Sequence, residues 1–324
     1  MMLLEIEHQL TFQYDTFVNE SYTELRVEPR RTPHQTLQSF YLAVGPPTAI
    51  WRYIDWNGNF VHHFGIPNYH DRIEVATRSL VETHPSGQAL ADATDTLPIA
   101  DATGPLLDFT TFGGPVIRSF ELEMLHREAK VPTEAPLGEQ IKSLSAFVLQ
   151  RFDYVPEVSD YRSTTDHLLA AGAGVCQDFA HVLIGLLRLR GIPSRYVSGY
   201  LHVESGGNEP SQSHAWVEAW SPTAGWLAVD PTHDQILDER YVVVAHGRDY
   251  DDVPPNRGIY RGKAGETLHA SVRTRQSEER QTFGLQDEIG ELDVPVFPEV
   301  PHSPQTPSAS LTDDDPQSQQ QQQQ

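Results

Sequence analysis

Residues 174–181, GVCQDFAH, set Cys176, the chain's single cysteine, between a glycine and an amphipathic stretch that runs on through LLRLR to Gly191. Gly191 followed by Pro193 is a helix stop, so the stretch reads as a helix opening near Cys176. A helix start offers unpaired N–H groups and partial positive charge, and Gly172 and Gly174 allow close backbone approach just ahead of it. A thiol attacks only as its thiolate, and a free one is mostly protonated at neutral pH. The position therefore suits a nucleophile, whereas a cysteine that merely fills apolar space needs no such setting.

A nucleophile needs a base. His181 is nearest in sequence, but five positions along a helix it points about 140° away from Cys176, so its expected role is packing or capping. His214 stands at the start of the strand HAWVEAW, which turns through SPTAG into a return strand, GWLAVD, ending at Asp230. The period of two puts His214 and Asp230 on one face of that hairpin, where a carboxylate can hold the imidazole tautomer and support the imidazolium. Taken singly each has a plainer reading: a buried thiol, a packed histidine, an Asp-Pro turn. Together they form a triad hypothesis of Cys176 as nucleophile, His214 as base and Asp230 as orienter.

Around this stretch, GEQIKSLSAFVLQRF repeats Ile141, Leu144, Val148 and Phe152 at helical spacing. SRYVSGYL adds a further strand, and helices followed by a run of strands give an α+β pattern. Upstream, LEIEHQLTFQY alternates, with Leu4, Ile6, His8, Leu10, Phe12 and Tyr14 on one face. TELRV, TLQSFYLAV and FVHHFGI read as further strands, and Asn57-Gly58 reads as a hairpin turn. The expected organisation is an antiparallel β domain over 1–110, with a connection across 85–115, then an α+β catalytic core over 111–284. A Pro/Gln-rich tail over 285–324 has too little apolar content to offset ordering entropy and is expected to be disordered.

The chain has 324 residues and a net charge of −22. From residue 271 onward ten Asp or Glu face three Arg, which leaves about −15 on the rest. Such a surface repels phosphate backbones and anionic lipids, so neither nucleic acid nor membrane is an expected partner. One cysteine rules out an intrachain disulfide and a Cys-rich zinc site. With no basic, apolar leader in MMLLEIEHQL, the expected setting is cytoplasmic. Competing motifs are poor. Gly172-Ala173-Gly174 lacks the third glycine of a dinucleotide loop, GIYRGKA lacks phosphate-loop spacing, and His62-His63 point to opposite faces of a strand.

The segments GVCQDFAH, GIPSRYVSGY, SHAWVEAW and GWLAVDPTH, in this order, resemble the core of the transglutaminase-like superfamily. VAHGRDYDDVPPNRGIYRG and the N-terminal HQLTFQY and LRVEPR segments are similar to its bacterial branch, which carries an extra N-terminal β domain. The resemblance spans residues 3 to 275. It implies a papain-like α+β core with a Cys-His-Asp triad, carried here by Cys176, His214 and Asp230. It also implies acyl transfer on an amide or peptide bond through a thioester, with a protein or peptide as substrate and no metal or organic cofactor. Hydrolysis is favoured over transfer to an amine because nothing resembles the calcium loops of animal transglutaminases. The rival reading is a non-catalytic module that binds a peptide or protein in the same cleft. The backbone N–H of Cys176 is the expected oxyanion donor, and no second donor is assigned. Asp178 is expected to stabilise the helix start while its charge opposes the thiolate.

Overall fold

The computed structural model describes residues 1–85, 90–99, 104–203, 213–233, 235–277, 292 and 294–298. Its longest strand, β1 (Met2–Leu25), buries Leu4, Ile6, His8, Leu10, Phe12 and Tyr14, while Gln9 and Gln13 stay exposed, as alternation requires. The two runs expected as separate strands, LEIEHQLTFQY and TELRV, thus share one strand. Glu20 at φ 63 and a register shift between Asn19 and Ser21 deflect it without ending it.

β1 is central to a sheet with β2 (Gln35–Gly45), β3 (Ile50–Ile54), β4 (Phe60–Ile66) and β5 (His70–Thr83), in the order β2-β5-β1-β4-β3. The turn between β3 and β4 is the one the Asn-Gly pair predicts: Gly58 sits at φ 76, and the Asp55 carboxylate takes the N–H groups of Asn57 and Asn59.

The core begins with α1 (Phe120–Glu128), α2 (Leu137–Arg151), the short strand β6 (Asp153–Tyr154), α3 (Thr165–Ala171), the short strand β7 (Ala173–Gly174) and α4 (Cys176–Leu189). It continues with β8 (Ser194–Leu201), β9 (Ser213–Ser221), β10 (Gly225–Asp230), β11 (Gln235–Ile236) and β12 (Tyr241–Gly247), which form an antiparallel sheet ordered β11-β10-β9-β8-β12. Ile141, Leu144, Val148 and Phe152 of the α2 stripe are buried against Phe179, Leu183 and Leu186 of α4. Along β9, Ala215, Val217 and Ala219 join that apolar cluster. His214, Trp216, Glu218 and Trp220 alternate with them and face the other side.

The chain then returns to its beginning. β13 (Asn256–Arg261) and β14 (Glu266–Gln276) both pair antiparallel with β1, β14 along Leu4–Tyr14 and β13 along Asn19–Leu25. Residues 256–276, which the sequence reading assigns to the catalytic core, therefore complete the N-terminal sheet. Periodicity marks them as strands but cannot say which sheet accepts them, because pairing partners lie far away in sequence. Leu4, Ile6, Val81 and Val272 of that sheet share one apolar cluster with α2 and α4, so the two halves pack as one body.

Within the 85–115 connection, two 3₁₀ turns form at Leu90–Asp92 and Gly104–Thr110, and Leu90 and Ala93 are buried. Residues 86–89 and 100–103 lie outside the described residues. Of 285–324, residues 292 and 294–298 are described. Val294 is buried, Phe297 exchanges backbone hydrogen bonds with Tyr69, and its ring meets Phe17 edge-on. The rest of the expected tail lies outside the described residues. Among the described residues, no helix is long and apolar enough to cross a membrane.

Candidate active site

Cys176 is the first residue of α4, after Val175 in extended conformation. The turn is clamped from inside. The Asp178 carboxylate accepts the Val175 N–H at 2.8 Å and the Ser159 hydroxyl at 2.5 Å. Gly174 is required for this clamp, since a Cβ there would lie 2.7 Å from Asp178 Oδ2. Burial raises the Asp178 carboxyl from its ordinary value despite these two bonds. β6 pairs in parallel with β7, and this sets Tyr154 opposite Gly174, next to the same turn.

His214 enters from β9. Its Nε2 donates to Asp230 Oδ2 at 2.8 Å, which leaves Nδ1 for Cys176, whose side chain lines the same cleft and acts on the ring. A carboxylate only accepts, so the network itself fixes the tautomer. Asp230 ends β10 with no exposed surface, and it is heavily solvated by protein. Oδ2 also accepts from Tyr241 Oη at 2.8 Å and His233 Nδ1 at 2.9 Å, while Oδ1 accepts the Thr232 N–H at 2.8 Å. Burial opposes its ionisation, yet the bonds from His214 and His233 hold it well below the usual carboxylate range. For His214, burial alone favours the neutral ring. The hydrogen bonds and charges of Asp230 and Cys176 outweigh it and push the imidazole up to about 10.

Cys176, His214 and Asp230, expected to act together, are thus brought together: buried Asp230 holds His214, and His214 shares one cleft with the half-buried Cys176. His181 is placed as expected, away from the thiol. It is fully buried, accepts the Tyr250 N–H at 3.2 Å, and its ring lies 5.1 Å from that of Tyr196. Burial, aided by the Arg188 charge, lowers it to about 3. His62 bonds Glu28 while His63 stays exposed, as opposite faces of β4 require.

Cys176 and His214 open onto a cleft of about 320 Å³. Tyr154, Tyr161, Tyr196 and Tyr250 line it on one side, and Ala270, Ser271 and Val272 of β14 supply a wall from the N-terminal sheet. Glu157 and Asp160 also line it, with no Lys or Arg among its described lining residues. Burial pushes the Tyr154 hydroxyl up to about 12 and the Tyr196 hydroxyl well above its ordinary range, and both also feel the charge of Cys176.

His233, Tyr241 and Tyr154 were not foreseen. His233 had a signal, because it stands three residues past Asp230 across the Pro231 turn. Tyr241 and Tyr154 reach the site from other strands and left none. His214, Asp230 and His233 also form the one group of donor atoms, within 4.8 Å of each other, close enough among the described residues to hold a metal ion. Both ring nitrogens involved already donate to the same carboxylate oxygen, so the three are complete as a hydrogen-bonded network.

The chain is similar to known proteins in sequence and in fold. Residues 124–231 match the model of the transglutaminase-like superfamily, and residues 4–82 match that of the bacterial transglutaminase-like N-terminal region. An uncharacterized protein of Mycobacterium leprae is 32% identical over 280 residues, covering 84% of this chain and 98% of its own length. A protein-glutamine gamma-glutamyltransferase of Pseudomonas aeruginosa is 36% identical over 114 residues, covering 31% of this chain and 17% of its own. The crystal structure of a candidate cysteine protease from Cytophaga hutchinsonii superposes with a TM-score of 0.69 at 22% identity, covering 87% of this chain and 92% of that one. By sequence match across both halves, the chain belongs to the transglutaminase-like superfamily, in the branch that carries the bacterial N-terminal region.

Proposed function

We propose that the protein is a cysteine-dependent acyltransferase acting on amide or peptide bonds, with hydrolysis as its main outcome. The observation that supports this is buried Asp230 holding His214 in the same cleft as Cys176, which stands at a helix start. The Cys176 thiolate attacks the carbonyl, and the new C–S bond removes the negative charge that kept the imidazolium protonated. His214 then gives its proton to the leaving nitrogen, and a thioester remains. Water, deprotonated by His214, resolves it to the acid and regenerates the thiolate. The N–H of Cys176 would face the oxyanion, and a second donor would come from Tyr154 or Tyr196, which line the cleft and feel the Cys176 charge. The substrate we propose is a protein or peptide, and the setting a cytoplasm whose reducing poise keeps a lone thiol available.

Transfer to an amine is the second reading, favoured by Glu157 and Asp160 in a cleft with no Lys or Arg among its described lining residues, which would draw an ammonium group. One experiment tests both. Glutamine-containing peptides are incubated in ¹⁸O-water with and without a primary amine, and Cys176 and the products are read by mass spectrometry. An acyl adduct on Cys176 and ¹⁸O in the product support hydrolysis, while amine incorporation supports transfer. Turnover retained by Cys176→Ser would remove Cys176 as the nucleophile, and neither adduct nor product from any peptide in a cell extract would leave the cleft a binding module.

A further inference from the structure

A second cavity, of about 470 Å³, lies on the face of the five-stranded sheet turned away from α4, beneath the loop that follows β1. Its polar lining is unbalanced. Arg195 donates to the Glu218 carboxylate from Nε at 2.6 Å and lies over the Trp226 ring at 4.1 Å, but its other terminal nitrogen makes no hydrogen bond among the described residues. Arg30 spends one terminal nitrogen on the Asn57 carbonyl and Asn59 Oδ1, while its Nε and second terminal nitrogen make no hydrogen bond among the described residues. Burial lowers the Arg30 guanidinium, and the charge of Arg195 lowers it further, so the two cations are close enough to repel. Asp55, the other acid that acts on Arg30, is already bonded to Arg26 at 3.2 Å. A surplus positive charge therefore faces a half-buried cavity in a chain whose net charge is −22.

His246 supplies the independent observation. Its side chain is 7% exposed and lines the cavity, and neither ring nitrogen has a hydrogen-bond partner. Nε2 lies 3.7 Å from Glu218 Oε2, beyond hydrogen-bonding range. Strand alternation alone would have put this histidine in the apolar core. A bulge between Val243 and Ala245 re-phases β12, so Val242, Val244 and Ala245 all face α4 while Tyr241, Val243 and His246 face the cavity. Burial, with the charges of Arg195 and Arg30, keeps His246 neutral, and a neutral imidazole offers one N–H to an acceptor. An unpaired buried ring costs stability unless something completes it.

We infer that this cavity binds a small organic oxyanion, with a carboxylate or phosphate head held between Arg30, Arg195 and His246 and an apolar body lying against Trp220, Leu237 and Val243. Guanidinium forks suit both heads, and the volume falls within the ordinary range for a small ligand, about 300–1,000 Å³. The site is separate from the cleft and does not depend on the proposed reaction.

The test uses benzoate and phenyl phosphate as probes and benzamide as the uncharged counterpart, with binding read by calorimetry and by the His246 ring signals in NMR. At least one anion should bind about tenfold or more tightly than benzamide, since a charge-assisted bond exceeds a neutral one by about that factor. His246→Phe, which keeps the ring volume, should weaken binding by a similar ~10-fold, and its melting curve verifies folding. The ring-signal shift on wild-type protein locates the site without any variant. Equal binding of benzamide and benzoate would mean a merely apolar cavity. No binding of either anion at about 10 mM would mean a cavity that holds only water, and unchanged affinity in folded His246→Phe would mean a site elsewhere. Each of these overturns the inference.

Discussion

The two faces of the core sheet share the same strands and differ in kind. The face against α4 is Ala215, Val217, Leu227, Val229 and Val242, close-packed and without a polar side chain among these positions. The other face carries His214, Glu218, Asp230, Tyr241 and His246. Two histidines measure the contrast. His181, on the α4 side, is lowered to about 3, and His214, on the other, is raised to about 10, although both are buried. Burial lowers all of these rings, His246 on the polar face included, and only at His214 is that lowering outweighed. The buried carboxylate beside it decides, and Asp230 is kept ionised by donors from three directions.

The largest effect expected from breaking that contrast comes from Asp230→Asn. It should keep the fold and slow turnover of a trapped peptide substrate by about 10² to 10⁴, because an amide can hold the ring in the wrong tautomer. Unchanged turnover would end the triad reading. The same variant should alter the pH dependence of stability. His214 is raised in the folded state, so its contribution is complete below the unfolded value of about 6.5 and disappears as pH rises through about 10. Melting curves of the wild type should show that decline, and those of Asp230→Asn should lack most of it.

Next in size is His181→Ala, which removes a fully buried ring and the acceptor for the Tyr250 N–H. A loss of about 2–4 kcal/mol in denaturant unfolding is expected, with the alkylation rate of Cys176 by iodoacetamide unchanged. A slowed thiol in a stable variant would move His181 into the site. Tyr241→Phe removes one of the bonds to Asp230 and should cost about 1–2 kcal/mol while slowing alkylation modestly. The smallest change is expected of His233→Ala, whose side chain is 44% exposed: at most about 1 kcal/mol, visible as a slight drop in melting temperature. A large effect there would show that the outer histidine, and not burial of the carboxylate, sustains its charge.

Much of this was legible in advance. The even face of β1, the α2 stripe, the Asn57-Gly58 turn and the Gly191 helix stop are local patterns, and each formed where its period or turn chemistry placed it. Cys176, His214 and Asp230 were legible for the same reason, since each sits at the edge of a strongly patterned element. What escaped was non-local. Nothing within residues 266–276 announces that they pair with Leu4–Tyr14, and nothing near Tyr241 announces Asp230. The bulge that turns His246 outward is a one-residue change of phase, invisible to a window that assumes strict alternation. β5, pairing along most of β2 and the first half of β1, was likewise passed over.

The pairing of Leu4 with Gln276 and of Tyr14 with Glu266 has a consequence in time. During synthesis β1 leaves the ribosome long before its neighbour β14, which is made only after the helices and strands α1 to β12 of the core. One edge of a long, apolar-faced strand therefore waits unpaired while the core is made, the condition under which sheets recruit wrong partners. The same late strand brings Ala270, Ser271 and Val272, so a nascent chain can hold a folded α4 and still have no wall opposite Cys176. The thiol is exposed before its cleft exists, and the cleft is finished only when β14 docks onto β1.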